Sequence, residues 1–392
     1  MSLGGMKIAI VHDELTRRGG AEVVLEELLR IFPQADVYTM YAGPRPLLRV
    51  DERTYKLHTS FLQRWPSWWR RHPSRLLPLL SMAAEQFDLS GYDLVISSAS
   101  GFAKAIITRV NIPHICYCHT PTRYLWSATH QVADRRSILR WPGQLVLHYL
   151  RLADYAAAQR VDYFIANSPF TQARIHTYYR RRSTVIYPPI DTTFFTPLRP
   201  ATGGAIGGAA LLPENYFLAV GRLTPAKNFI QAIRVCEKLR LPLVVVGSGG
   251  ELARLYRAAG KYTRFVGSID NLQLRSYLRR ALALLQPGEE DFGMAAAEAL
   301  ACGTPVIAYG RGGVLDVVRN RETGLLYAEP REEALAEALR QFLMNRPDFT
   351  AEGLQQSVLR FSAQRFNWRI SEFVQSIYAT WQERARGVTS HI

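Results

Sequence analysis

Cysteine is scarce in this chain. Four residues, Cys116, Cys118, Cys236 and Cys302, are scattered through 392, and nothing at the start reads as a signal peptide. This excludes a disulfide-stapled secreted scaffold and points to a reduced, cytoplasmic setting. No apolar run reaches the roughly 18 residues that a membrane-spanning helix requires, so the expectation is a soluble or peripheral protein. Metal patterns are lacking as well. Cys116-Tyr117-Cys118-His119 has no second ligand pair of the kind a structural zinc site uses, and no Asp-x-Asp pair occurs. DNA- and RNA-binding motifs are absent, which disfavours a nucleic-acid partner.

What is present is globular. Hydrophobic residues make up 48% and aromatics 11%, and the length exceeds what one core usually serves, so two domains with a cleft between them are expected. Net charge is +15, with 25 basic against 15 acidic residues up to position 200 and 23 against 18 beyond it. Such a field suits an anionic partner, with the excess leaning toward the first lobe. Met1 to Gly5, ahead of a second Met6, reads as an expression scar.

Lys7 to Val11 is an apolar run ending in His12-Asp13-Glu14, then Gly19-Gly20, then a helix-periodic stretch from Ala21 to Ile31. Strand, glycine loop and helix recur through 93–97, 114–118 and 163–166, with a helical pattern over 145–159. Continuous apolar strands separated by helices argue for a parallel sheet covered on both faces. A stretch rich in proline, glycine, alanine and threonine follows Pro188, and the alternation then restarts with strands over 216–220, 243–246, 263–266, 283–285 and 305–308. The reading is α/β, with two doubly wound domains: 6–195, a linker 196–214, 215–364, and a terminal helix 365–392.

Glu290 and Glu298 flank Asp291-Phe292-Gly293, between a strand and an alanine-rich helix starting near Met294. The first amides of that helix are free to hold a phosphate. Arg222 and Lys227 leave the carboxyl end of another strand, where two cations suit a diphosphate, although a basic pair in a loop is by itself only a solvated turn. Gly19-Gly20 and Gly312-Gly313 permit close backbone approach or are plain turns. Gly247-Ser248-Gly249-Gly250 is half a dinucleotide fingerprint with wrong spacing and no ribose-binding acid, the sole support for an NAD-dependent reading. His119 emerges at a strand's carboxyl end. Trp65, Trp68 and Trp69 among Arg64, Arg70, Arg71 and Arg75 fit either a headgroup layer or aromatic packing with a basic rim, and Pro66 and Pro73 restrict any helix there to a short central piece. Arg135, Arg136, Arg140 and Arg180 to Arg182 add basic surface.

In this order, Gly19-Gly20-Ala21-Glu22, His119, Asn167-Ser168, Gly221-Arg222 with Lys227, Gly247-Ser248-Gly249, and Glu290 to Glu298 before Gly303-Thr304-Pro305-Val306 resemble retaining glycosyltransferases of the GT-B fold, family 4, over nearly the whole chain. Leu89 to Gly101 and Cys116 to Trp126 resemble bacterial mannosyltransferases of O-antigen or exopolysaccharide synthesis. The resemblance implies two Rossmann-like domains facing a cleft, an acceptor-binding one and a nucleotide-sugar-binding one, with the terminal helix crossing back to the first. It implies Arg222 and Lys227 on the donor diphosphate and Glu298 on the ribose. Glu290 and His119 would contact the transferred sugar, and Gly20 would lie against the diphosphate. The amides of Phe292, Gly293 and Met294 would cover sugar and phosphate, and Gly312-Gly313 would lie near the nucleotide.

No metal or other cofactor is expected, because cations and a helix amino end answer the leaving-group charge. The expected partners are a nucleotide sugar, a glycan or polyprenyl-diphosphate-linked saccharide acceptor, and anionic membrane at the inner face of the cytoplasmic membrane. Mannose from GDP-mannose is preferred, with glucose from UDP-glucose next. A basic membrane-binding protein without catalysis is the alternative from a different class.

Overall fold

The structure is a computed structural model that describes residues 5–43, 48, 50, 55–66, 73–127, 140–198, 215–345 and 348–389. Two compact units divide the chain: Met1–Pro189 with Phe366–Ile392, and Ile190–Arg365.

The first unit is built on strands β1 (Ile8–His12), β2 (Asp36–Thr39), β3 (Leu57–Thr59), β4 (Leu94–Ala99), β5 (His114–Cys118), β6 (Tyr163–Ala166) and β7 (Ser183–Val185). They lie in the order β3-β2-β1-β4-β5-β6-β7, all parallel. β1, β4 and β5 are buried along their whole length, which is why their sequences run apolar without alternating. Successive side chains enter opposite core layers. Ala9, Val11, Val95, Cys116 and Cys118 meet one layer, with Leu147 and Leu150 of helix Arg140–Gln159. Ile8, Ile10, Leu94, Ile96 and Ile115 meet the other, with Val24, Leu25 and Leu28 of helix Gly20–Ile31. Each such aliphatic side chain contributes about 1.5–3 kcal/mol by leaving water. The terminal helix Ala363–Thr389 completes the second layer. Phe366, Ile370 and Val374 form one buried stripe at helical spacing, and the Phe366 ring stands edge-on to Tyr117 at 5.9 Å.

The second unit carries β8 (Phe217–Val220), β9 (Leu243–Val246), β10 (Thr263–Gly267), β11 (Ala283–Gln286), β12 (Val306–Tyr309) and β13 (Gly324–Tyr327). Their order is β10-β9-β8-β11-β12-β13, again all parallel. Helices Phe229–Leu239 and Glu332–Asn345 supply Ile233, Leu335 and Leu339 to its core. In each sheet the first strand, β1 or β8, has its chain successor on one side and a later strand on the other. That reversal opens a crevice outside the strands' carboxyl ends.

Several details depart from expectation. Residues 190–198, expected in the first domain and the linker, pack with the second unit: Arg275 donates to the Phe194 carbonyl at 3.0 Å and Arg279 to that of Thr196 at 2.6 Å. Pro73 begins a helix rather than ending one. A proline in the first turn has no intrahelical amide bond to lose, so Pro73 suits the start, and Pro73–Glu85 continues with Pro78 in its interior. Short strands β2, β3, β7 and β13 were not anticipated. Residues 1–4, the linker part 199–214, Trp68 to Arg71 and Arg135 and Arg136 lie outside the described residues.

Candidate active site

In the second unit the site forms where β8 and β11 end side by side. A loop leaves β8 at Gly221, and its short helical turn Pro225–Lys227 brings Lys227 Nζ to 2.5 Å from Glu290 Oε1, on the loop after β11. Both side chains are largely buried, so the attraction is screened less than at a surface. Arg222, exposed on the same loop, has no side-chain partner among the described residues. Two cations and a carboxylate therefore share one strand-end crevice. Glu289 pairs instead with Arg311 at 2.8 Å.

Helix Met294–Ala301 starts directly beyond, with Gly293 as its cap in the left-handed region, φ +100°. The cap residue, being glycine, contributes no side-chain hydrogen bond, and the first amides of a helix have no acceptor within the helix itself. Phe292 is buried, its ring edge-on to Phe361 at 5.0 Å. It anchors the loop, whose backbone packs against Gly313. Met294 and Glu298 are half-buried one helical turn apart. Gly313 is dictated by packing: its amide donates to the Glu290 carbonyl at 2.7 Å, and a Cβ there would stand 2.0 Å from the Asp291 carbonyl. Gly312 pairs with Glu290 in an isolated bridge. Thus Glu290, Phe292, Gly293, Met294, Gly312 and Gly313 form one connected piece with Lys227.

The other glycine run has a structural explanation. A Cβ on Gly247 would meet the Gly221 carbonyl at 1.9 Å, and Leu223 donates its amide to the Ser248 carbonyl at 2.9 Å. These glycines let the β9 loop lie against the Arg222 loop, which accounts for a run that never matched the dinucleotide spacing.

In the first unit the ends of β1, β4 and β5 bring His12, Ser98 and His119 together. His12 and Ser98 are register partners. Ser98 Oγ lies 3.1 Å from His12 Nδ1 and 2.8 Å from His119 Nε2, and His12 Nε2 lies 3.3 Å from Glu22 Oε1. The second Glu22 oxygen accepts the Gly19 amide at 2.7 Å, ordering the loop whose next residue, Gly20, is exposed and opens helix Gly20–Ile31. Burial pushes His119 down to about 3, the neighbouring His12 adding to the shift and Glu22 opposing it. For Glu22, burial acts to raise the carboxyl, but the hydrogen bond and charge of His12 and the local amides bring it below its usual value. Asn167 holds the His119 carbonyl at 2.8 Å.

Behind this cluster is a buried ion pair. Lys104 Nζ meets Asp154 Oδ1 at 2.6 Å, and the same carboxylate accepts from Thr122 at 2.8 Å, Trp126 at 2.7 Å and Tyr179 at 2.8 Å. Thr122 and Trp126 fix the segment after β5 to helix Arg140–Gln159, Lys104 ties in the turn after β4, and Tyr179 ties in the end of helix Pro169–Tyr179.

Comparison with known proteins gives the family. Residues 18–194 match the profile described as Glycosyltransferase Family 4, and 209–355 that described as Glycosyl transferases group 1. A D-inositol 3-phosphate glycosyltransferase of Jonesia denitrificans is 31% identical over 309 residues, 71% of this chain and 69% of that protein. The chain is a group 1 glycosyltransferase. Among further relatives, a GDP-Man:Man(3)GlcNAc(2)-PP-Dol alpha-1,2-mannosyltransferase of Xenopus tropicalis is 26% identical, over 57% of this chain and 50% of its own length. The crystal structure of Anabaena HepE in complex with UDP and glucose has TM-score 0.70 at 19% identity, covering 95% of this chain and all of HepE. That likeness is one of fold: the glycosyltransferase has the two Rossmann-like sheets of GT-B enzymes.

Sequence reasoning about this glycosyltransferase assigned roles to His119 and Gly20 but none to His12, Ser98 or Glu22, and it missed Lys104 and Asp154. A signal existed for the first group. Polar residues closing the apolar runs of β1 and β4 fall at the carboxyl ends of strands that become neighbours.

Proposed function

We propose that this enzyme moves mannose from GDP-mannose to a glycan or polyprenyl-diphosphate-linked saccharide in cell-surface polysaccharide synthesis, with retention at the anomeric carbon and without a metal. The observation that carries the donor part is the Lys227–Glu290 pair at 2.5 Å beside the glycine-started helix Met294–Ala301, with Arg222 exposed on the loop that carries Lys227. Arg222 and Lys227 bind the diphosphate and take up the charge that grows on it as the glycosidic bond breaks, and the amides of Phe292, Gly293 and Met294 add to this. Glu298 anchors the ribose. Glu290 and His119 orient the sugar, Gly20 gives the diphosphate close approach to backbone, and Gly312-Gly313 line the nucleotide pocket. Support for mannose comes from the mannosyltransferase-like runs 89–101 and 116–126 and from the GDP-Man-dependent relative.

A second donor, UDP-glucose, is favoured by the fold shared with HepE, solved with UDP and glucose. A panel of nucleotide sugars assayed for nucleoside diphosphate release, with and without chelator, separates the two. Abolition of turnover by chelator, or wild-type turnover in Arg222→Ala and Glu290→Ala, contradicts the site assignment. Among the described residues no helix is long and apolar enough to cross a membrane. The +15 charge supports peripheral attachment to anionic lipid, tested by salt-sensitive sedimentation with anionic but not neutral vesicles.

A further inference from the structure

Helix Arg140–Gln159 is apolar on two sides. Leu147, Leu150, Ala157 and Ala158 are buried in a core layer of the first unit. Leu145, Tyr149 and Leu152, spaced four and three residues apart, form a second stripe that faces solvent at 66%, 60% and 56% exposure, widened by Val146 and Tyr155. Five large exposed apolar side chains thus fall between residues 145 and 155, whereas such side chains are ordinarily scattered singly over a protein surface. Charge does not interrupt the stripe. Asp154 is the only acid of the helix and is turned inward onto Lys104, and Arg151 bends back to the Leu125 carbonyl at 2.7 Å.

We infer that this stripe is the face by which the enzyme sits on an anionic lipid bilayer. The inference rests on the peripheral attachment proposed above and gives it a surface. What selects lipid as the occupant is the charge at the border of the stripe. Arg181 donates to the Gln159 carbonyl at 2.9 Å, which ties residues 180–182 to the end of the helix, and Arg180 and Arg182 are exposed there. From residue 163 to residue 182 the chain has four arginines and no acid. An apolar stripe with a basic border suits the boundary between acyl chains and anionic headgroups, and Tyr149 and Tyr155 bring the amphipathic rings that such a layer accommodates. A second copy docked face to face would set the same arginines against one another.

The helix also has a direction relative to the sheet. It returns from the carboxyl end of β5 to the amino end of β6, and Asp154 meets Thr122 and Trp126 of the segment just after β5. The turns ahead of Asp154, with Leu145, Tyr149 and Leu152, therefore stand at the end of the sheet where His12, Ser98 and His119 gather. A bilayer on this stripe lies along the rim of the first unit's crevice. On the proposed function, a lipid-linked acceptor then meets the crevice without leaving the membrane.

The test is co-sedimentation of the full-length enzyme with vesicles of mixed phosphatidylcholine and phosphatidylglycerol. The double variant Leu145→Gln with Leu152→Gln, which alters only exposed side chains, should keep the wild-type urea midpoint and lose partitioning by about tenfold or more, the worth of two leucines left in water. Tyr149→Cys carrying an environment-sensitive fluorophore should shift to the blue on the same vesicles. Val110→Cys, at an exposed position ahead of β5, should not. The native Cys116, Cys118, Cys236 and Cys302 are buried and leave the label at the introduced site. Wild-type partitioning in the double variant, or an unshifted label at position 149, overturns the inference and leaves attachment by charge standing. Failure of the wild type to bind the mixed vesicles overturns attachment itself. A wild-type dimer that the double variant turns into a monomer in sedimentation velocity, with vesicle binding unmoved, assigns the stripe to a second copy and overturns the inference as well.

Discussion

Lys104 and Asp154 form a charge pair with no access to solvent, and the carboxylate of Asp154 also satisfies Thr122, Trp126 and Tyr179. Burial works against the charge of Lys104, and Asp154 more than reverses it. Asp154→Asn leaves the ammonium uncompensated and should cost about 3–5 kcal/mol of stability, read as a lowered urea midpoint for the first unit. Replacing both partners, Lys104→Met with Asp154→Leu, should recover only part, because three further donors lose their acceptor. A wild-type midpoint in Asp154→Asn would show that the pair is not formed.

Gly313→Ala is a backbone collision. The added carbon would lie 2.0 Å from the Asp291 carbonyl, so the 290–293 loop must shift. Loss of about 1–3 kcal/mol is expected, with weaker donor binding by calorimetry. Gly250→Ala, where nothing lies within 4 Å, is the matched control and should be close to neutral. Equal behaviour of the two variants would refute the packing argument.

Arg222 and Glu290 should be separable from their neighbours by kinetics. Arg222→Ala and Glu290→Gln are each expected to reduce kcat/KM about 10²–10³-fold, and Arg222→Lys should rescue poorly because a point charge replaces a fork. Arg311→Ala, which removes the exposed partner of Glu289 and a hydrogen bond with Tyr309, should stay near wild type. Comparable losses in all of these variants would point to a general electrostatic effect in place of a built site.

Acid stability follows from two buried histidines. Burial holds both His114 and His119 down to about 3, against 6.5 for the unperturbed group. Above that unperturbed value neither state takes up a proton and there is no penalty. As pH falls from 6.5 toward 3 the unfolded chain binds protons that the folded chain refuses, so stability declines, by up to about 1.4 kcal/mol per pH unit for each histidine. Urea midpoints measured from pH 7 to pH 5 should fall, and the slope should lessen in His114→Asn. A flat profile would mean that these histidines are protonated in the fold.

The sequence revealed most where burial was complete on both faces. β5, β6 and β9 were legible to the residue, because strands such as Leu243–Val246 have no polar side to interrupt them. β2, β3 and β7 escaped, being three or four residues long and polar at one or both ends, as in Asp36–Thr39 and Ser183–Val185. The acids and cations of the second unit were legible as strand-end residues. The ion pair between Lys227 and Glu290 was not, since 63 positions separate them and only the adjacency of β8 and β11 brings their loops together. The same holds for His12, Ser98 and His119, whose meeting depends on the strand order β1-β4-β5.

The terminal helix has a consequence for how this protein can be cut. Phe366, Ile370 and Val374 cover Ile8, Ile10 and Ile115 from the far end of the chain, so the first unit is not a contiguous stretch of gene. A fragment ending at residue 189 would be born with an uncovered apolar face and should aggregate on expression. Any recombination between such enzymes must therefore use two junctions, one near 189 and one near 366, and carry the tail along with the amino-terminal half.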